Sequence, residues 1–136
     1  MLKAGIIEQS NSEWSAPMVL VKKKDNTLRI CVDYRRLNAI SCNDAYPMQR
    51  IDDLIDRLGR ATYISTLDLT RGYWQVPVEE RDKAKTAFCT PFGLFHFNVM
   101  PFGLKGAPAT CQRLMDKVLQ GLNKFSAVYL DDIYYI

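Results

Sequence analysis

The chain has 136 residues, 48% of them hydrophobic and 24% charged, which suits one domain with a sizeable core and argues against a disordered chain. Its net charge of +3 is gathered at one end: residues 1–36 carry seven Lys or Arg against four Asp or Glu, and residues 37–136 carry eleven of each, an asymmetry that hints at an anionic partner on that side. No stretch approaches the length of a membrane span, and "MLKAGIIEQSNSEW" lacks the apolar block of a signal peptide, so a soluble, intracellular protein without a membrane partner is expected.

Taken in chain order, "APMVLVKKKDNTLRICVDY" predicts a hairpin. Met18–Lys23 is one strand, Asp25, Asn26 and Thr27 form the turn, and Leu28–Asp33 is the return. Lys22, Lys23, Lys24 and Arg29 lie on or beside it, and both residue types suit phosphate. Lys22 and Lys24 are better explained as a solvated tip, whereas Arg29, between Leu28 and Ile30, is the stronger functional candidate. "YPMQRIDDLIDRLGR" predicts a helix with Pro47 in its first turn, apolar residues at 48, 51, 54, 55 and 58, and Gly59 at its end.

"ATYISTLDL" is a β-type run finishing at Asp68, and "TAFCTPFGLFHFNVM" predicts two strands broken at Pro91–Gly93. "GAPATCQRLMDKVLQG" predicts an amphipathic helix, with Pro108 near its start and apolar residues at 111, 114, 115, 118 and 119. "FSAVYLDDIYYI" predicts strand, turn and strand. Strands and helices mix without a regular βαβ rhythm, so the expected class is α+β. Cys31, Cys42, Cys89 and Cys111 form no Cys-x-x-Cys pair, and His96 is the one histidine. This argues against zinc and for free, buried or half-buried thiols.

Asp131 and Asp132 stand side by side in an apolar and aromatic run. A solvated hairpin turn explains such a pair without any function. A second acid changes the weighing: Asp68 closes a strand between Leu67 and Leu69, where a carboxylate needs a counter-charge. If that strand lies beside the Asp131–Asp132 hairpin, three carboxylates converge at one end of a sheet. Divalent cations would neutralise them. Two Mg²⁺ ions about 3.5–4 Å apart support phosphoryl transfer in such sites. "MPFGLKGAP" is a shaped loop entering a helix N-terminus, a weak signal on its own. Tyr73, five residues after Asp68, either walls a pocket or belongs to the core.

Together, "WSAPMVLVKKKDNTLRICVDYRRLN", "STLDLTRGYWQV", "TAFCTPFGLFHFNVMPFGLKGAPATCQRLMD" and "VYLDDI" resemble the reverse transcriptases of Ty3/gypsy-type long-terminal-repeat retrotransposons, in order and approximate spacing from about Ile6 onward. The resemblance implies the fingers and palm of a right-hand polymerase, an α+β fold with a mixed or antiparallel palm sheet. Fingers would take about 1–45 and 77–100, and palm about 46–76 and 101–136. It implies that Asp68, Asp131 and Asp132 are catalytic and, with the Leu69 backbone carbonyl, bind two Mg²⁺ ions, Mn²⁺ being the alternative. Lys23 and Arg29 would hold the nucleotide's phosphates, and Arg71 and Gly72 would present backbone amides to them. Tyr73 would lie under the sugar, Phe102 would share that pocket, and Gly103, Lys105 and Pro108 would lie near the template.

The implied activity is RNA-directed DNA synthesis, adding deoxynucleoside triphosphates to a primer on an RNA or DNA template, in the cytoplasm within a retrotransposon particle. Gly106, Cys111 and His96 depart from residues common in the group, and none of them removes a catalytic group. The chain stops four residues after Asp132, so a fragment of a polyprotein is expected, inactive or very weak alone, with the thumb, RNase H and integrase regions elsewhere. The competing readings are a catalytically silent remnant or domesticated nucleic-acid-binding module, and a two-metal nuclease.

Overall fold

The computed structural model describes all residues from Met1 to Ile136. In chain order the strands and helices are β1 (Ile7–Gln9), β2 (Ala16–Lys22), β3 (Leu28–Val32), α1 (Arg35–Ile40), α2 (Ile51–Leu58), β4 (Ser65–Asp68), α3 (Glu80–Lys83), β5 (Phe88–Thr90), β6 (Gly93–Phe97), α4 (Ala107–Val118), β7 (Ser126–Tyr129) and β8 (Asp132–Tyr135). The mixture is α+β, as the absence of a βαβ rhythm predicts. The chain divides into two compact units, each built from two separated segments: residues 1–43 with 73–107, and residues 44–72 with 108–136.

The first unit holds a five-stranded sheet in the order β1-β6-β5-β2-β3. It is antiparallel apart from the short parallel pairing of β2 with β5. Phe88, Phe95 and Phe97 form its buried centre, with Ile6, Ile7, Met18 and Val32 against them. The predicted hairpin is present, with Lys22 opposite Leu28. Its tip is an Asx turn: Asp25 Oδ1 accepts the Thr27 N–H at 3.0 Å and the Thr27 hydroxyl at 2.6 Å. Asn26 takes the left-handed backbone (φ 63°) that its short amide tolerates.

Tyr34, 2% exposed, donates its hydroxyl to the Thr86 carbonyl at 2.8 Å, tying the residue before α1 to the segment before β5. Burial pushes its phenol well above the ordinary tyrosine range. Tyr34→Phe keeps the ring and strands that carbonyl. It is expected to lower stability by about 1–3 kcal/mol, read as a lower urea midpoint with an unchanged denaturant slope.

The second unit holds a three-stranded antiparallel sheet in the order β4-β8-β7. Its buried side chains include Leu54 of α2, Cys111, Gln112, Met115 and Leu119 from the second segment's helix and the turn after it, and Ala127, Val128 and Ile133 of β7 and β8. Arg57 of α2 donates to the carbonyls of Asn123 and Ser126, which fixes the chain entering β7.

Several expectations need correction. The second helix begins at Ile51, not near Pro47, and Arg50 before it is extended. Long-range partners on α4 hold the preceding stretch instead: Arg113 pairs with Asp44 at 2.7 Å, and Tyr46 donates to Asp116 at 2.7 Å. Asp52 and Asp53 then suit the positive end of the shortened helix. On α4, Leu114 and Val118 face outward, and the buried stripe is Cys111, Gln112 and Met115. β4 is exposed along its length, because it is an outer strand with one neighbour. Cys42 and Cys89 are exposed rather than buried or half-buried. Arg29 is not enclosed by its neighbours, since Leu28 and Ile30 are themselves at least half exposed.

Candidate active site

In the second unit, strand pairing brings the acids together. β4 and β8 run antiparallel with Asp68 directly opposite Asp132. Carboxylates so placed repel each other unless a cation intervenes. Asp131 sits in the turn between β7 and β8. Its carbonyl accepts the Leu69 N–H at 2.9 Å, which anchors that turn to the chain leaving β4. Its carboxylate Oδ1 is buried without a hydrogen-bond partner. Burial first, then the charges of Asp132 and Asp68, pushes the Asp131 carboxyl above the ordinary aspartate range. The Tyr134 hydroxyl lies 3.5 Å from Asp132 Oδ2.

No three His, Cys, Asp or Glu side chains are drawn into a closed cation cage. The donor chemistry nevertheless fits a hard divalent cation: three carboxylates at one sheet end, one oxygen buried and unbonded. Two backbone conformations beside the acids are unusual. Leu130 (φ 56°) and Arg71 (φ 55°) both occupy the left-handed region, which costs a side-chain-bearing residue about 1–2 kcal/mol. Such strain is commonly found where a site needs one geometry.

Gly72 is buried between these features. A Cβ there would stand 3.3 Å from Leu69 Cβ and 3.7 Å from Asp131 Oδ1. Its amide, expected to present itself to a phosphate, donates to the Leu69 carbonyl at 3.0 Å. What Gly72 contributes here is close packing: a side chain would crowd Leu69 and touch the Asp131 carboxylate. The Leu69 carbonyl, expected as a metal ligand, keeps its second lone pair.

In the first unit a different group forms. Arg29 on β3 lies with its guanidinium 5.6 Å from the centre of the Phe102 ring, a cation–π distance. The Tyr73 ring packs against the same Phe102 at 5.0 Å, tilted by 41°. Tyr73 is 9% exposed, so it serves as packing whatever else it does. Lys23, at the hairpin tip, is exposed and does not join this group. Gly103 has φ 93° and approaches the Val32 carbonyl, where a Cβ would stand 3.6 Å away. Pro108 lies in the first turn of α4.

Asn38 is a residue the sequence did not single out. Its amide donates to the Gly103 carbonyl and accepts the Lys105 N–H, both at 2.8 Å, so one side chain clasps both ends of that loop. The available signal was its place in "RRLN", within a matched run.

A model of the family described as reverse transcriptase (RNA-dependent DNA polymerase) matches residues 21–136. A retrovirus-related Pol polyprotein from transposon 297 of Drosophila melanogaster is 43% identical over 139 residues, covering 98% of this chain and 13% of the polyprotein. An RNA-directed DNA polymerase homolog from Oenothera berteroana is 49% identical over 108 residues, covering 79% of this chain and 76% of the homolog. Among solved structures, the foamy viral protease-reverse transcriptase in complex with RNA/DNA hybrid superposes with a TM-score of 0.90 at 28% identity, covering 98% of this chain and 18% of that one.

Proposed function

This chain belongs to the reverse transcriptase family, and from that premise we propose that it supplies the fingers and palm of an RNA-directed DNA polymerase within a gypsy-type Pol polyprotein. The observation that carries the proposal is the register placing Asp68 opposite Asp132, with the buried, unbonded Asp131 carboxylate oxygen beside them. A solvated Asp-Asp turn would leave that oxygen in water.

The partners are a primer annealed to an RNA or DNA template, and deoxynucleoside triphosphates. The solved foamy viral relatives, bound to RNA/DNA hybrid and to double-stranded DNA, support the first of these. Asp68, Asp131 and Asp132 would hold two Mg²⁺ or Mn²⁺ ions, which when bound make the primer 3′-hydroxyl a better nucleophile and offset charge on the triphosphate.

The chain's own groups do the rest. Gly72 lets the chain leaving β4 pack closely against Asp131, where a side chain would crowd Leu69. Arg29, braced on Phe102, offers a fixed cation to the phosphates. Lys23, Arg71 and the loop carrying Gly103, Lys105 and Pro108 are assigned to phosphate and template contacts. Tyr73 is assigned to the sugar.

The test is primer extension by the polymerase containing this chain, on RNA and DNA templates, with a chelator arm and a labelled-duplex nuclease arm. Extension that stops with the chelator is the expected result. Binding without extension identifies a silent module, and cleavage of the duplex identifies a nuclease.

A further inference from the structure

Gln112 is a neutral polar side chain on the buried stripe of α4, 2% exposed. Its amide nitrogen faces two acceptors, Asp116 Oδ1 at 3.0 Å and the Val128 carbonyl at 3.2 Å. An ionised carboxylate and a carbonyl only accept. They therefore select one orientation of the amide, and the Tyr46 hydroxyl, donating to the other Asp116 oxygen at 2.7 Å, holds that carboxylate in turn. With the nitrogen committed, Oε1 is left facing the β7–β8 turn. There it accepts the Leu130 N–H at 3.3 Å.

Leu130 is the residue with φ 56° that immediately precedes Asp131. A branched side chain resists that conformation, so the turn needs something to hold it. Resting on the polymerase function above, we propose that Gln112 is a positioning residue for nucleotide addition: through Leu130 it sets the direction in which Asp131 and Asp132 present their carboxylates. It touches neither nucleotide nor primer. A buried glutamine serving only as packing would be replaceable by methionine, which is nearly its size.

The experiment uses Gln112→Met in the polymerase that contains this chain, with amide exchange of Leu130 followed by NMR in the wild type and the variant. Wild-type Leu130 is expected to exchange slowly, and the variant about tenfold faster. Displacing the carboxylates by around an ångström should lower kcat about 10- to 100-fold, with the KM for nucleotide held within about twofold because no ground-state contact is removed.

A folded Gln112→Met protein with wild-type kcat overturns the proposal. So does a wild-type Leu130 amide that exchanges as fast as an exposed loop, a result that stands even if the variant does not fold. A wild-type polymerase that adds no nucleotide refutes the polymerase function instead, and the exchange data still decide whether Gln112 holds the turn.

Discussion

A polymerase carrying Asp131→Asn is expected to lose nucleotide addition by more than about a hundredfold, while its metal-free fold becomes no less stable. Partners one step removed from a metal already cost about 10–100-fold when changed, and a direct ligand should cost more. The expected stability has a separate cause. Burial and the charges of Asp132 and Asp68 raise the Asp131 carboxyl above the 3.8 of an ordinary aspartate. A raised acid holds its proton more tightly in the folded chain. Its unfavourable contribution is therefore absent below about pH 3.8, grows as pH rises from there toward the folded value, and is fully present above it. Asparagine never acquires it. With metal chelated, the variant should match wild type in acid and equal or exceed it at neutral pH. Added Mg²⁺ or Mn²⁺ should raise the wild-type melting temperature more than the variant's, since only a ligand of the folded state stabilises it. Near-normal extension by the variant would remove Asp131 from the site.

Tyr73→Val should change which sugar is accepted. Its ring packs on Phe102 at 5.0 Å and is almost fully buried, so it cannot swing aside freely. A hydrophobic pocket rejects an added hydroxyl only weakly through affinity. A fixed ring against the sugar does better, because a 2′-oxygen must overlap it or push the sugar out of line, and a shift of about 1 Å can cost on the order of a hundredfold in rate. Ribonucleotide use relative to deoxynucleotide use should therefore rise by roughly tenfold or more in the variant. The same burial predicts a cost. Aromatic truncation in a core costs about 3–5 kcal/mol, with valine somewhat milder than alanine. A fall in both activities together with the melting temperature would mean that Tyr73 is packing alone, and an unchanged ratio in a folded variant would exclude the sugar contact.

The parts of this molecule that were readable from sequence have a local cause. The β2–β3 hairpin and the β7–β8 pair announce themselves through apolar, β-branched and aromatic runs on either side of turn residues, and α4 through apolar residues at helical spacing, of which Cys111, Met115 and Leu119 are buried. β1, α1 and α3 are three, six and four residues long, too short to show a period. The late start of α2 follows from Arg113 and Asp116, which lie 69 and 70 residues beyond their partners Asp44 and Tyr46 and left no trace near Pro47. Asp68, Asp131 and Asp132 are legible as types, and the expectation that their strands lie side by side agrees with the structure, whereas the register that sets Asp68 opposite Asp132 is not readable from the sequence. Gln112 does not stand out in the sequence. Its signal is a polar residue on a buried helical stripe with an acid four positions later, which is easily taken for a fault in the pattern. The contact between Arg29 and Phe102 depends on packing, and no spacing rule reveals it.

The division of each unit into two separated segments has a consequence during synthesis. β4 hydrogen-bonds only to β8, so it leaves the ribosome on the order of several seconds before its partner exists, at about 5–20 residues per second. Closing so long a loop slows folding more than it weakens the finished fold. Meanwhile both edges of β4 are open to other chains, the usual start of misassembly. Three of its four residues, Ser65, Thr66 and Asp68, are polar or charged. A charge at the end of a waiting strand discourages pairing with a second copy. Asp68 is therefore expected to disfavour pairing between nascent chains, an effect independent of any part it plays in catalysis.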